Sequence, residues 1–145
     1  EKEKVVQPEA ATGEASIRGL HLLLAEDNEL NAEIAARLLN DEGATVQVVR
    51  DGQQAIDAFA SRPQGTYDAI LMDIMMPKID GYTATRVIRS TNRQDARTIP
   101  IIAMTAHVFD EDVKQCLEAG MNAHLPKPLQ MEKVVSTIAR LCKRK

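Results

Sequence analysis

Five strand-like segments alternate with helix-like segments along this chain of 145 residues, and no other feature restricts its fold as strongly. Each strand is a short run of apolar or β-branched residues, followed by apolar residues at helical spacing. The predicted strands are residues 21–25, 45–49, 69–73, 101–104 and 123–125. Strands that alternate with helices pair in parallel, and helices then cover both faces of the sheet. The sequence therefore predicts a three-layered α/β fold with a five-stranded parallel sheet.

The first predicted helix carries a broad apolar stripe, which in an amphipathic helix packs on the core. The stripe consists of Leu30, Ile34, Ala35, Leu38 and Leu39, and Gly43 stops the helix. The later helices are predicted near residues 55–60, 83–89, 113–117 and 131–142. The pair Asp80-Gly81, just before the third helix, is typical of a turn in which glycine supplies a positive φ.

Composition places the chain among globular domains. Its hydrophobic content is 44% and its formal net charge is −3, which argues against a general nucleic-acid binder. No apolar run approaches the length of a membrane span and no signal-peptide pattern opens the chain, so we expect a soluble cytoplasmic domain without membrane contact. Cys116 and Cys142 lie on helix stripes and are interpreted as reduced core thiols.

The two ends of the chain differ from its middle. Residues 1–19 are rich in Glu, Lys, Ala, Pro, Gly and Ser, and we interpret them as a flexible linker. Residues 143–145 form a short basic tail. The folded domain is therefore predicted to span residues 20–142, and this prediction is compatible with a membrane anchor elsewhere in the parent protein.

Polar residues follow four of the predicted strands. They are Glu26-Asp27, Asp73, Thr105 and Lys127. In a parallel sheet all four strand ends lie along one edge, where α/β proteins hold their ligands. Crowded carboxylates need a cation, and hard oxygen ligands with room for water suit Mg²⁺. A carboxylate beside Mg²⁺ can attack a phosphoryl group, so these residue types fit an aspartyl-phosphate site.

With these marks in place, the sequence resembles the receiver domain of two-component response regulators over about residues 20–142. The matching segments are Glu26-Asp27, "LMDIMMPKIDG" around Asp73, "AMTA" from Ala103 to Ala106, and "LPKP" from Leu125 to Pro128. The segments "AEDNELN" and "GMNAHLPKPL" are most similar to receivers of hybrid sensor histidine kinases. The resemblance implies the flavodoxin-like strand order 2-1-3-4-5.

The resemblance also implies a role for each site residue. Asp73 would accept a phosphoryl group from a phosphohistidine, and the isolated domain would at most dephosphorylate itself slowly. Mg²⁺ would be bound by Asp27, Asp73 and the backbone carbonyl of Met75, with Glu26 acting through water. Lys127 would pair with the phosphoryl oxygens, and the Lys127-Pro128 bond would be cis.

Signalling would depend on a change of shape in the receiver. Thr105 would turn inward to the phosphoryl group, and His124, where many relatives have Tyr or Phe, would follow. The surface of the fourth helix, the fifth strand and the fifth helix would then change, and it is also a potential homodimer surface. Ala106 and His107 would adjoin the switch, and Met75 and His107 would affect hydrolysis of the acyl phosphate. Asn31 is a candidate contact for a phosphotransfer helix bundle.

The implied partners are a phosphohistidine domain of a histidine kinase or a histidine phosphotransfer protein, with no nucleic acid bound by this domain. A linker before the first strand and no output domain after the last helix favour the C-terminal receiver of a hybrid histidine kinase. A stand-alone receiver is the alternative. An aspartyl-phosphate phosphatase of the haloacid dehalogenase kind is disfavoured, because Met75 stands where its second Asp is needed. A pseudo-receiver that only binds partners is disfavoured by the complete set of polar residues.

Overall fold

The computed structural model describes residues 16–105 and 110–142, and its central feature is a sheet of five parallel strands. The strands are β1 (His21–Ala25), β2 (Thr45–Val49), β3 (Ala69–Asp73), β4 (Ile101–Thr105) and β5 (Ala123–Pro126). Their order in the sheet is β2-β1-β3-β4-β5. The predicted α/β class and strand order are confirmed.

Six helices connect and cover these strands in the described part of the chain. They are α1 (Glu29–Asp41), α2 (Gly52–Ser61), α3 (Gly81–Ser90), α4 (Asp95–Thr98), α5 (Asp110–Ala119) and α6 (Met131–Cys142). The one-turn helix α4 was not predicted, because four residues are too few to show helical periodicity. The fourth and fifth predicted helices are therefore α5 and α6.

Asparagine or aspartate caps the helix that follows each of the first three strands. The side chain of Asn28 accepts a hydrogen bond from the Asn31 amide, which begins α1. Asp51 caps α2 in the same way, and Asp80 caps α3. Such caps satisfy amides that have no partner within the helix, and they fix where each helix starts at the carboxyl edge of the sheet.

The prediction of a positive φ at Gly81 is wrong. Gly81 is the first residue of α3, and the left-handed residue of this turn is Lys78, with φ of 67°. Glycine is required at position 81 for a different reason. A Cβ built there would lie 2.5 Å from the backbone oxygen of Asp73, which is far inside van der Waals contact.

Apolar side chains fill both faces of the sheet, as expected for a parallel sheet covered by helices. One cluster includes Phe59 of α2 and Ile88 of α3, packed against Ile70 of β3. The other includes Leu39 of α1 and Ile138 of α6, on the opposite face. Cys116 is buried and Cys142 is half-buried, and no disulfide bond joins these two residues.

Helix α1 departs from its predicted packing. Ala35 and Leu39 are buried, and Ala32 joins them. The other three members of the predicted stripe are exposed: Leu30 by 63%, Ile34 by 49% and Leu38 by 36%. The five apolar residues occupy an arc of the helix surface that is too wide to be buried against the sheet. As a result, α1 has a second apolar face that points away from the sheet.

The folded unit begins earlier than residue 20. The composition around Ile17 predicts that it belongs to the linker, but its side chain is only 1% exposed and packs in the same cluster as Leu39 and Ile138. The Gly19 amide also donates to the carbonyl of Gly43 at 2.9 Å. The rest of the predicted linker and the basic tail lie outside the described residues. Among the described helices, none is long and apolar enough to cross a membrane.

Candidate functional site

Three carboxylates meet at the carboxyl edge of the sheet, where β1 and β3 end side by side. Glu26 and Asp27 follow β1, and Asp73 is the last residue of β3. One oxygen from each carboxylate lies within 4.8 Å of the others, and we call these three residues the acidic cluster. Glu26 and Asp73 are each only 3% exposed, whereas Asp27 is exposed. The strand ends thus bring together acids that are 46 residues apart in sequence (73 − 27).

Lys127 supplies a cation to this cluster from the segment that follows β5. Its Nζ lies 2.8 Å from Oε1 of Glu26 and 3.0 Å from Oδ2 of Asp73. The backbone of Lys127 is held in place because its amide donates to the Thr105 carbonyl at 2.8 Å. The Lys127-Pro128 peptide bond is cis, as the resemblance implied.

Burial raises the pKa of Asp73 from its ordinary value of 3.8 to about 6. The hydrogen bond from Lys127 lowers this pKa, but the negative charge of Glu26 raises it again. Asp73 shares its cation with Glu26, so the ammonium group only partly compensates for the loss of water around the carboxylate.

The pKa of Lys127 is also raised, although burial alone lowers it. Hydrogen bonds to Glu26 and Asp73 outweigh the burial, because the ammonium group has two carboxylate partners. The two directions are compatible. Lys127 keeps its proton at neutral pH, whereas Asp73 loses its proton at a higher pH than an exposed aspartate does.

Two further residues of the predicted site adjoin Asp73. The Met75 amide donates to Oδ1 of Asp73 at 3.2 Å, while the Met75 side chain is 71% exposed. Thr105 is buried at the end of β4, one residue beyond Met104, which is the register partner of Asp73. The backbone of Met75 and the Thr105 residue thus lie at the same edge as the acidic cluster.

The remaining predicted positions are more dispersed. His124 lies within β5, half-buried and opposite Ala103. Ala106 and His107 lie outside the described residues. Asn31 is exposed on α1 and borders a cleft of about 180 Å³. The cleft is lined by Glu26, Asn31, Ile34, Ala35, Leu38, Lys127, Pro128 and Leu129.

This cleft is the part of the site that the sequence reasoning missed. It joins the exposed apolar face of α1 to the polar end of Lys127, whereas the sequence assigned Ile34 and Leu38 to the core. A signal was present in the sequence. Leu30, Ile34 and Leu38 follow one another at intervals of four, which places them on a row separate from Ala35 and Leu39.

Comparison with known proteins agrees with this geometry. Residues 22–139, which are most of the chain, match the response regulator receiver domain family. The chain belongs to this family. The receiver is 38% identical to part of histidine kinase 1 of Arabidopsis thaliana and 39% identical to part of an osmosensing histidine protein kinase of Saccharomyces cerevisiae. The aligned regions cover 88% and 83% of the receiver but only 13% and 10% of those kinases.

A solved structure is similar as well. It is the receiver domain of a sensor histidine kinase from Pseudomonas aeruginosa, with a magnesium ion coordinated in its active site cleft. That domain is 40% identical to this receiver, with a TM-score of 0.76, over 86% of this chain and 98% of the other. The receiver is therefore closely similar to receivers of hybrid histidine kinases.

The acidic cluster of this receiver fits a hard divalent cation on its own chemistry. Three carboxylates converge, and among the described residues Lys127 is the one cation that forms ion pairs with them. An excess of negative charge therefore remains at a site where two of the acids are buried. Carboxylate oxygens with one exposed side suit a cation that keeps several waters.

Proposed function

We propose that this receiver accepts a phosphoryl group on Asp73 from a phosphohistidine of a partner protein. The observation that carries the proposal is the set of charged groups close to the Asp73 carboxylate. Its buried carboxylate lies 3.0 Å from the ammonium of Lys127 and within 4.8 Å of two further carboxylates. A phosphoryl group arriving at Asp73 would find a fixed cation on one side and metal ligands on the other.

Mg²⁺ is the cofactor that the acidic cluster would hold. Asp27, Asp73 and the backbone carbonyl of Met75 would bind it, and Glu26 would act through water. When bound, the ion would neutralise the acids and the charge on the phosphoryl oxygens. This assignment is supported by the hard oxygen donor set and by the magnesium ion in the similar domain.

The chain's own residues would orient the transfer. A carboxylate oxygen of Asp73 forms the new P–O bond, the P–N bond to the imidazole breaks, and the imidazole nitrogen recovers its electron pair. Lys127, which holds Oδ2 of Asp73 in the resting state, would pair with the transferred phosphoryl oxygens. The hydroxyl of Thr105 would stabilise another of them, which would draw Thr105 toward the site.

The partner would dock on the cleft and the exposed face of α1. Leu30, Ile34 and Leu38 present apolar surface there, and the cleft leads to Lys127 and Glu26. A helix of a histidine-bearing bundle could lie along this face with its phosphohistidine directed at Asp73. Asn31, exposed at the border of the cleft, would be a polar contact in this complex.

The output would be a population shift between two conformations of the receiver. Inward movement of Thr105 and His124 would alter the surface of α5, β5 and α6, which is also a candidate homodimer surface. The parent protein would be a hybrid histidine kinase with the receiver in the cytoplasm. This setting is supported by the likeness to kinase receivers.

Phosphorylation by a small donor tests the acceptor assignment. Incubation with acetyl phosphate and Mg²⁺ should add one phosphate to the wild type, read by intact mass, and hydroxylamine should remove it as an acyl phosphate. Asp73→Asn should gain none. Asp57→Asn, a change of an exposed acid on α2, should be phosphorylated normally. Equal labelling of Asp73→Asn and wild type would overturn the assignment.

A further inference from the structure

We propose that Gly52, the first residue of α2, is a positioning residue that holds the loop after Asp73 and thereby increases the affinity of the acidic cluster for Mg²⁺. The loop comprises residues 74–80, and we call it the β3–α3 loop. This role rests on the proposed function, because Met75 in that loop is the backbone ligand assigned above. Gly52 itself belongs to another element, α2, and is not a member of the acidic cluster.

Helix α2 begins directly against the far end of the β3–α3 loop. A Cβ built on Gly52 would overlap the carbonyl oxygen of Ile79 and would lie 2.9 Å from its carbonyl carbon. Optimal separations of such atoms are about 3.5 Å, so any side chain at position 52 would displace the Ile79 backbone by about 1 Å. Gly52 is buried and has an ordinary backbone φ, so glycine serves here for close approach alone.

The start of the loop, at Ile74, is also held in place. Gly81 donates its amide to the carbonyl of Ile74 at 2.9 Å, which closes the loop on itself. Within it, the Ile79 amide donates to the Pro77 carbonyl at 2.8 Å, and the Met76 side chain is buried in the core. A loop that is fixed at both ends and in its middle has little freedom to absorb a displacement of Ile79.

The backbone contact dominates the side-chain contact between the same elements. Asp51 caps α2 by accepting from the Gln54 amide at 2.8 Å, and the Lys78 ammonium lies 3.6 Å from its other oxygen. The Lys78 side chain is 73% exposed, so water screens this ion pair and it adds little. The cap fixes the start of α2, and the start of α2 supports Ile79.

A displaced loop would reach the metal ligands through Met75. The Met75 amide is bonded to Oδ1 of Asp73, so the loop and the carboxylate move together. Metal sites require ligand placement to within about 0.5 Å, which is less than the displacement that a side chain at position 52 would cause. Residues that support ligands typically change metal affinity by about 10- to 100-fold when they are mutated.

Magnesium titration of Gly52→Ala, followed by NMR of the backbone amides, tests this role. We expect the Kd for Mg²⁺ to rise about tenfold or more. Gly43→Ala is the matched control. Gly43 has a φ of 98° and its Cβ would lie 2.9 Å from Arg18, so it also loses stability, but at the opposite edge of the sheet. Its Kd should stay within about twofold of the wild-type value.

Each result decides the matter. Equal Mg²⁺ affinity of Gly52→Ala and wild type, or an equal loss in Gly43→Ala, would overturn the role. Should Gly52→Ala fail to fold, Ile79→Gly replaces it, because it removes the Ile79 Cβ that faces position 52 and frees the backbone there, which loosens the same contact without a clash. An unchanged Kd in that variant would also overturn the role. Failure of wild type to bind Mg²⁺ or to be phosphorylated on Asp73 would instead refute the proposed function.

Discussion

Asp73 is held in a state that is unfavourable for an isolated carboxylate. It is almost completely buried beside Glu26 and shares Lys127 with it. Its pKa is about 6 in the folded protein, mainly because of burial, against an ordinary value of 3.8. Between about pH 4 and pH 6, the folded state therefore keeps a proton on Asp73 that the unfolded state has already released. Stability falls as the pH rises through this interval and remains lower above it.

We therefore expect Asp73→Asn to stabilise the metal-free protein at pH 8, by about 2 kcal/mol. The Asn oxygen can still accept from Lys127, and no charge has to be buried. The gain should shrink as the pH falls from 6 to 4, where the wild-type carboxyl is itself protonated. Urea unfolding in EDTA at pH 8, 6 and 4 measures the effect, with Asp57→Asn as the control. A destabilised Asp73→Asn at pH 8 would show that the ion pair with Lys127 outweighs the burial.

At the scale of single elements, α1 has an exposed apolar face that its own fold does not need. Ile34→Ser should change the free energy of unfolding by less than about 0.5 kcal/mol, because the side chain is 49% exposed. Transfer from a phosphohistidine protein should slow at least severalfold, while labelling by acetyl phosphate should not change. Leu117→Ser on α5, where the side chain is 62% exposed, is the matched control.

Comparing acetyl phosphate with the phosphohistidine protein distinguishes an effect on partner docking from an effect on phosphoryl transfer at Asp73. A small donor needs only the site around Asp73, whereas a protein donor also needs the α1 face. Wild-type transfer rates in Ile34→Ser with the protein donor would contradict the docking surface. Loss of labelling with both donors would indicate damage to the site itself.

Arg89 of α3 joins this helix to α4 and to the end of α5. Arg89 donates five hydrogen bonds, to the carbonyls of Ala96, Ile99 and Gly120 and to the side chain of Asn122. Burial lowers its pKa, and no carboxylate offsets the charge in these bonds. Arg89→Met would leave several acceptors unpaired.

We expect Arg89→Met to destabilise the protein by about 2–4 kcal/mol in urea unfolding. Its affinity for Mg²⁺ should not change, because the Arg89 contacts lie at the amino edge of the sheet. Arg86→Met, on the exposed side of α3, should be nearly neutral. An unaltered unfolding midpoint for Arg89→Met would contradict this structural role.

These elements also show what sequence reasoning can reach. The five strands and the meeting of their acids at one edge follow from local patterns and from the geometry of parallel sheets. The helix α4 could not be predicted from local patterns, because it is held by residues distant in sequence. Arg89 donates to the carbonyl of Ala96, and the amide of Gly65 donates to Asp95. Ile17 is similar, since its burial depends on α1 and α6 rather than on its neighbours in sequence.

At the scale of the whole molecule, Mg²⁺ and protons should compete for the folded state. A ligand that binds only the folded protein stabilises it by about 2.7 kcal/mol at a hundredfold excess over Kd. In a domain of this size that raises Tm by roughly 5–10 °C. Below pH 6 the carboxyl of Asp73 is largely protonated and must release its proton before the ion binds.

Thermal unfolding should therefore show a larger rise in Tm with Mg²⁺ at pH 7.5 than at pH 5, at the same ion concentration. Circular dichroism with and without EDTA measures it, and Asp57→Asn should behave as wild type. Asp73→Asn should respond weakly to Mg²⁺ at both pH values, because it lacks both the ligand charge and the competing proton. An equal rise for wild type at pH 5 and pH 7.5 would mean that the ion does not displace the proton of Asp73. The ion would then bind the folded domain without using this carboxylate.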